Sequence, residues 1–187
     1  MEIRHADAVP DLDPYATLIF TSANGVAACA RAIAGRRVVT VGTKTSALAI
    51  QAGADALSLG EDVDAFLAQA DRIEGPALFC RGVHTRGDLA SRLQARGLNV
   101  DEAIVYDQIA QPLTSDALAL LQSDALVIAP VFSPRSAQLL CENAITAPIT
   151  VIAMSAAVAE AWSGPGTTET VSAPTAIHMA KQVIRHF

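Results

Sequence analysis

Small hydroxyl residues, asparagine and glycine recur where short apolar runs of the sequence give way to helical segments. A hydroxyl group and the free backbone N–H groups of a helix N-terminus can together bind an anion without much fixed positive charge. Serine and threonine are also favoured N-caps, so capping alone explains any single one of them. Their repetition after four separate runs favours anion binding. The candidate residues of this kind are Thr21, Ser22, Asn24, Gly42, Thr43, Thr45, Ser133 and Ser155.

Three arginines, one tyrosine and one histidine lie near further run ends. Arg81, Arg86 and Arg135 could each pair with a carboxylate or phosphate, or could be ordinary solvated residues where a helix begins. Tyr106 ends a run and could donate a proton or a hydrogen bond to a ligand, or could be an ordinary strand aromatic. His84 stands out among four histidines because it lies between two of these arginines, and the other three are predicted to be surface residues.

An alternation of strands and helices would position these residues. Continuous apolar runs of strand length alternate with alanine-rich segments of helical length, and several of these segments begin with Ser, Thr or Asp. This alternation predicts parallel sheets built from right-handed crossovers. In such sheets ligands bind at the carboxyl ends of the strands, where the candidate residues lie. The strand-like runs are residues 17–20, 37–42, 56–60, 77–82, 99–106, 124–132, 149–155 and 167–173.

The same order of elements occurs twice along the chain. Ser22 aligns with Ser133 and Thr45 with Ser155, at an offset of about 110 residues, which is the size of a domain. We therefore expect two similar α/β domains that face one cleft, with Pro112 marking a break between them. The predicted boundaries are an N-terminal strand or connector at 1–13, a first domain at 14–106, a linker at 107–114 and a second domain at 115–187.

The composition excludes several classes of protein. Of the 187 residues, 51% are apolar and 17% are charged, whereas a disordered chain has low hydrophobicity and high net charge. A formal net charge of −6 argues against a general nucleic-acid surface. No apolar run reaches the roughly 18–20 residues that span a bilayer, and the first residues lack the apolar core of a signal peptide. A cytoplasmic protein without membrane contact is predicted.

The sequence lacks the common cofactor and catalytic motifs. Cys29, Cys80 and Cys141 have no paired spacing and no neighbouring histidine, which favours reduced, buried thiols over a disulfide framework or a zinc site. There is no G-x-G-x-x-G, Walker A or G-x-S-x-G motif, so the signatures of dinucleotide, nucleoside triphosphate and serine-hydrolase sites are missing.

An ordered series of segments resembles the uroporphyrinogen-III synthase family over nearly the whole chain. The segments are FTSANGV, VGTKTSALAIQAG, RGVHTRGDLASRLQARGLNV, a strand ending in VY, and FSPRSA. The resemblance implies two flavodoxin-like parallel-sheet domains joined by a β connector, an active site in the cleft between them, and neither a metal nor an organic cofactor. It also implies a lyase of haem biosynthesis that cyclises the linear tetrapyrrole hydroxymethylbilane to uroporphyrinogen III, inverting ring D and releasing water.

The resemblance carries functional positions of the family onto this chain. It implies that Tyr106 is the acid that helps the hydroxymethyl oxygen of the substrate to leave. The eight carboxylates of the substrate would meet Arg81, Arg86 and Arg135. Hydroxymethylbilane synthase, which makes the substrate, is a candidate partner that could hand it over. The other matching positions imply substrate binding by Thr21, Ser22 and Asn24, by Gly42, Thr43 and Thr45, and by Ser133, Arg135 and Ser155.

One departure from the family pattern affects the second domain. Family members usually begin with a strand, a helix and a second strand before the segment that matches MEIRH, and this sequence starts after them. We therefore expect an incomplete second domain with three strands instead of five, in which the run 124–132 is an exposed apolar edge that invites self-association. A non-catalytic two-lobed binding protein for a small polyanion and an inactive remnant are the alternatives to an active synthase.

Overall fold

Each of the eight strand-like runs overlaps a strand in the computed structural model, which describes residues 1–85 and 87–187. The chain divides into a first unit, Met1–Ala110, and a second unit, Gln111–Phe187. The first unit contains β1 (Glu2–His5), β2 (Thr17–Phe20), α1 (Ala23–Cys29), β3 (Arg37–Thr40), α2 (Thr43–Gln51), β4 (Asp55–Ser58), α3 (Val63–Ala68), β5 (Ala77–Gly82), α4 (Leu89–Gln94) and β6 (Val100–Ile109). The second unit contains α5 (Ser115–Leu121), β7 (Val127–Val131), α6 (Pro134–Cys141), β8 (Ile149–Ala153), α7 (Ala156–Glu160), β9 (Thr167–Thr170) and α8 (Ala176–Ile184).

The strands of the first unit form one six-stranded sheet in the order β1-β6-β5-β2-β3-β4. All neighbouring strands are parallel except β1, which runs antiparallel to β6. The predicted α/β class with parallel sheets is confirmed. Numbered along the chain, the five parallel strands have the doubly wound order 3-2-1-4-5, where a flavodoxin would have 2-1-3-4-5. The order reverses between β2 and β5, and ligands bind at such a switch point.

Hydrophobic clusters cover both faces of this sheet. Successive residues of a strand point to opposite faces, so Phe20 packs in one cluster with Cys29 and Val38, while Ile19 packs in the other with Phe66. All four residues of β2 are buried. This two-sided burial is the physical reason for the continuous apolar runs in the sequence.

A two-stranded antiparallel ribbon continues from the edge of the first sheet. The end of β6 pairs with β1, so that Glu2 lies opposite Ile109 and His5 lies opposite Tyr106. The segment 107–109, which the sequence analysis assigns to the linker, is therefore part of a strand. That this ribbon is the connector which the family resemblance implies stays a prediction.

The second unit contains a parallel three-stranded sheet in the order β7-β8-β9. The central strand β8 carries most of the buried residues, with Val151 packed on one face and Ile152 on the other. Three strands are what the sequence analysis expects for this part of the chain. With fewer strands, each face of the sheet supports a smaller core than in the first unit.

Strand β7 lies at the edge of this sheet, and a proline interrupts that edge. The N–H of Val127 donates to the Pro148 carbonyl, and the Val131 carbonyl accepts from Met154, so these residues bond toward β8. Alternate residues turn their backbone groups the other way, which places Pro130 on the open side. Because proline has no N–H, the middle of the open edge lacks a donor, and an added strand would pair poorly there.

A polar contact attaches the last helix to the last strand. Gln182 on α8 donates a hydrogen bond to the Glu169 carboxylate on β9, and His186 Nε2 lies 3.3 Å from the same carboxylate. The hydrogen bond from Gln182, with a smaller contribution from His186, lowers the pKa of Glu169. A lowered carboxyl pKa means that the contact stabilises the folded chain above the unfolded-state pKa and weakens as the pH falls through the folded-state value.

Candidate functional site

A cavity of about 330 Å³ opens at the carboxyl ends of the strands in the first unit. It lies at the switch point, because its lining comes from residues at or after β2, β3, β4, β5 and β6. Three of the predicted site residues, Thr21, Ser22 and Tyr106, meet there. The described lining consists of Thr21, Ser22, Val41, Asp62, Val63, Phe79, His84, Thr85, Leu89 and Tyr106.

Tyr106 is buried, with 6% of its surface exposed, and its ring packs against Gly82. A Cβ atom at residue 82 would lie 2.7 Å from the Cζ atom of the tyrosine, so only glycine leaves room for the ring. The register between β5 and β6 shifts at this point, and the Val83 N–H donates to the Tyr106 carbonyl over 3.0 Å. The sheet therefore holds the backbone of Tyr106 while Gly82 makes space for its side chain.

Ser22 has two roles at the start of α1. Its backbone is extended, and its Oγ accepts the N–H of Asn24 over 3.2 Å, which makes it the N-cap. It also lines the cavity beside Thr21. The capping interpretation and the cavity position are thus compatible at Ser22, while Asn24 contributes its N–H to the cap.

The predicted binding turn at the start of α2 is satisfied from within the chain. Gly42 has a φ of +83°, which favours glycine, and its N–H donates to the Gly60 carbonyl over 2.6 Å. The Thr43 N–H donates to Glu61 Oε1 over 3.2 Å, and Thr45 is buried. The carboxylate of Glu61 thus occupies the position where an external anion would bind. Of the described cavity lining, none comes from Gly42, Thr43 or Thr45.

Of the two predicted arginines near the end of β5, Arg81 lies within the described part of the chain and forms contacts there. Arg81 Nε donates to Glu102 Oε1 over 2.7 Å, and its Nη1 donates to the Gly82 carbonyl over 3.0 Å. Its charge is already paired, so a substrate carboxylate would have to compete with Glu102 for it. Arg86 lies outside the described residues.

His84, Thr85 and Asp62 line the cavity and were not among the predicted site residues. The sequence signal for His84 was its place between two arginines. Its Nε2 lies 3.5 Å from Asp107 Oδ1, and the pair is a salt bridge when the imidazole is protonated. Asp62 caps α3, because its Oδ1 accepts the Ala65 N–H over 2.8 Å.

The remaining predicted residues belong to the second unit. Ser133 caps α6, where its Oγ accepts the Ser136 N–H over 3.1 Å and lies 2.8 Å from the Ser136 hydroxyl. Arg135 is half-buried in the first turn of α6. Ser155 begins α7 without a side-chain capping hydrogen bond. That these residues face the cavity of the first unit across one cleft stays a prediction.

None of the three thiols is among the described residues that line the cavity. Cys29 and Cys80 are buried and free, whereas Cys141 is free and only partly buried, so the expectation of burial is wrong for Cys141. The hydrogen bond with Cys29, together with burial, raises the pKa of Cys80. Within the part of the chain that the structure describes, no group of three or more His, Cys, Asp or Glu residues could hold a metal ion. None of the described helices is long and apolar enough to cross a membrane.

The fold and the cavity define a doubly wound α/β protein with a candidate ligand site at the switch point of its larger sheet. A family model described as uroporphyrinogen-III synthase HemD matches residues 1–180. The chain therefore belongs to the uroporphyrinogen-III synthase family, and the family resemblance of the sequence is confirmed. Members of this family are lyases of tetrapyrrole biosynthesis that act on hydroxymethylbilane.

Two solved structures are similar in fold. The crystal structure of uroporphyrinogen-III synthetase from Helicobacter pylori matches with a TM-score of 0.76 and 15% identity, covering 100% of this chain and 90% of that one. A mutant uroporphyrinogen III synthase from Thermus thermophilus matches with a TM-score of 0.51 and 14% identity, covering 94% of this chain and 80% of that one. A search of curated proteins finds no match. At these identities the structural matches show the fold alone.

Proposed function

We propose that this chain is an active uroporphyrinogen-III synthase, which cyclises hydroxymethylbilane with inversion of ring D and loss of water. Membership of the family supports the reaction. The observation that carries the proposal to particular residues is the meeting of Tyr106, Thr21 and Ser22 in one cavity at the switch point. Thr21 and Ser22 follow β2, whereas Tyr106 lies on β6, so the cavity combines residues of two strands that are far apart in the sequence.

The cavity suits one end of the substrate. A volume of about 330 Å³ is at the lower limit of ligand pockets, which span about 300–1,000 Å³, so it holds part of a tetrapyrrole rather than all four rings. The apolar lining of Val41, Phe79 and Leu89 would face a pyrrole ring, and the hydroxyls would face its polar substituents. We place the hydroxymethyl end of the substrate here, beside the Tyr106 hydroxyl.

The chemistry begins with the departure of the hydroxymethyl oxygen. Tyr106 protonates or hydrogen-bonds this oxygen, the carbon–oxygen bond breaks, and water leaves behind an electrophilic azafulvene. The substituted carbon of ring D then attacks, which forms a spiro intermediate that fragments and closes again with the ring inverted. The proton that the ring loses in the last step restores the acid. The net change is therefore the loss of one water molecule, and the reaction needs no oxidant or reductant.

The enzyme must also hold a highly charged substrate although its own net charge is −6. Backbone N–H groups and hydroxyls at strand ends supply donors without fixed charge. Arg86, Arg135, Ser133 and Ser155 stay predicted contacts for carboxylates that extend beyond the cavity. Holding the two ends of the substrate close together lowers the activation free energy of ring closure further.

Product isomer analysis tests the proposal directly. Freshly prepared hydroxymethylbilane closes without an enzyme to the type I isomer, so the purified chain is mixed with it and the products are oxidised and separated. We expect type III isomer in an amount that depends on enzyme concentration. Type I isomer alone would contradict the proposal and would favour the binding protein or the remnant. Supplying the substrate through hydroxymethylbilane synthase in the same tube tests in addition whether that enzyme hands it over.

A further inference from the structure

The described lining of the cavity contains one side chain that can carry a positive charge, His84. The other polar groups of the lining are the hydroxyls of Thr21, Ser22, Thr85 and Tyr106 and the carboxyl group of Asp62. A polycarboxylate that enters the cavity would meet hydroxyl donors, one carboxyl group that repels it and one imidazole. The imidazole is therefore the group in this lining whose charge can favour an acidic ligand.

His84 has a partner that is well placed to hold it. Its Nε2 is 3.5 Å from Asp107 Oδ1, an oxygen shielded from solvent that forms no hydrogen bond with the described residues. The backbone fixes this arrangement, because Val83 donates to the Tyr106 carbonyl and so ties the residues next to His84 and Asp107 together. A shielded carboxylate oxygen without a donor is costly, and an imidazolium next to it relieves that cost.

We propose that His84, as an imidazolium, binds a carboxylate of the substrate in this cavity, and that Asp107 acts through His84 as a positioning residue. The inference rests on the proposed function, since it assigns a substrate contact within that site. An imidazolium can donate from both ring nitrogens, so one N–H can face Asp107 while the other faces the ligand. Its exposed side chain, 42% accessible, leaves room for that second contact.

The charged groups around His84 come from several elements. Asp107 approaches from β6, and Asp62 lines the same cavity from the residue before α3. Arg4 on β1 lies opposite Asp107 in the strand register. Arg81 is bound to Glu102 and is not among the described lining residues. Asp107 thus faces the imidazole directly and Asp62 shares the cavity with it, and a bound substrate carboxylate would replace solvent on the remaining side of the ring.

Substitution of His84 separates binding from chemistry. We expect His84→Gln to raise KM by about 10-fold or more, the usual effect of losing a hydrogen bond to a charged group, while kcat changes less than about twofold. His84→Arg keeps a cation and should restore most of the affinity. The control is His178→Gln on α8, whose ring contacts Thr175, and it should leave both constants unchanged. An unchanged KM in His84→Gln would overturn the proposal.

The role of Asp107 is tested by non-additivity. Asp107→Asn should raise KM by itself, but it should add nothing when His84 is already glutamine, because a positioning residue acts through the residue that it positions. If the two effects add, Asp107 supports the fold or the substrate in some other way and its assignment is overturned. Thermal melting of each variant checks that the fold is retained.

A binding measurement distinguishes failure of this inference from failure of the proposed function. Uroporphyrin, a fluorescent octacarboxylate, is titrated with wild type and with His84→Gln whether or not type III isomer forms. Weaker binding by the variant, with a difference that shrinks at high salt, supports the contact even in an inactive chain. Equal binding by the two proteins, or no binding by wild type, overturns it.

Discussion

The two units begin alike and are completed differently. In each, a strand leads into a helix capped by serine, Ser22 between β2 and α1 and Ser133 between β7 and α6. In the first unit, β5 and β6 continue the sheet beyond β2, whereas in the described residues of the second unit the corresponding strand β7 is an edge. Part of the cavity lining comes from that completed side, because Phe79, His84, Thr85 and Tyr106 belong to β5, β6 and the chain between them.

This difference shows that a serine that caps a helix after a strand does not by itself form a ligand cavity. Ser22 and Ser133 both accept a backbone N–H of their own helix, so their local chemistry is almost the same. What separates them is the neighbouring part of the sheet, which brings Tyr106 and His84 into the cavity that Ser22 lines. The four predictions that follow test this contrast between the units.

The largest expected effect is a loss of turnover when Tyr106, a residue of the first unit, is substituted. Tyr106→Phe removes the hydroxyl and keeps the ring, and general-acid assistance is worth about 10²–10⁴-fold, so turnover to type III isomer should fall by that factor. The chain has a second tyrosine, Tyr15, whose hydroxyl donates to Asp101 over 2.9 Å. Tyr15→Phe is the matched control and should keep full turnover. Full turnover in Tyr106→Phe would remove Tyr106 from the role of the acid.

Two glycines offer a paired test of site against scaffold. Gly82→Ala places a Cβ against the Tyr106 ring, and Gly166→Ala places one against the Ile149 carbonyl at a φ of +86°. Overpacking of this kind lowers the free energy of unfolding by about 1–3 kcal/mol, so both variants should unfold at a lower urea concentration than wild type. Gly82→Ala should also reduce turnover at temperatures where the protein remains folded. An equal loss of turnover in Gly166→Ala would show that the activity does not depend specifically on the packing of the Tyr106 ring against Gly82.

The two serines of the second unit should differ in stability. Ser133→Ala removes a capping hydrogen bond and should cost about 1 kcal/mol of unfolding free energy. Ser155→Ala removes no side-chain cap and should change stability by less than about 0.5 kcal/mol. Urea unfolding measures both. With its fold unchanged, a raised KM in Ser155→Ala would report substrate contact, whereas equal destabilisation in both variants would contradict the difference in capping.

The smallest expected effect on stability concerns the open edge of the second unit. Pro130→Val restores an N–H to the outer side of β7 and should promote strand pairing between copies, with little change in the free energy of unfolding. Light scattering over a range of concentrations should show more association than wild type. The equivalent change at an exposed proline that lies outside the strands, Pro148→Val, is the control. If Pro130→Val associates no more than wild type, the edge is protected by something other than the missing donor.

Local patterns in the sequence were sufficient to predict the strands, the helix caps and part of the candidate site. Continuous apolar runs predicted buried parallel strands, since such strands need apolar side chains on both faces. Serine before a helix predicted capping, and it does cap α1 and α6. Thr21, Ser22 and Tyr106 were identified because they follow or end a strand, and strand ends share one edge of a parallel sheet.

Only the tertiary structure decided which of these ends are neighbours. Local periodicity is the same whichever side of β2 the next strand occupies, so the sequence could not show that β5 brings His84 beside Ser22. The same holds for the pairing of Arg81 with Glu102 and of Thr43 with Glu61, which removes free donors that the sequence had suggested. Contacts between residues distant in the chain depend on strand order and register, and both are set by packing the whole sheet.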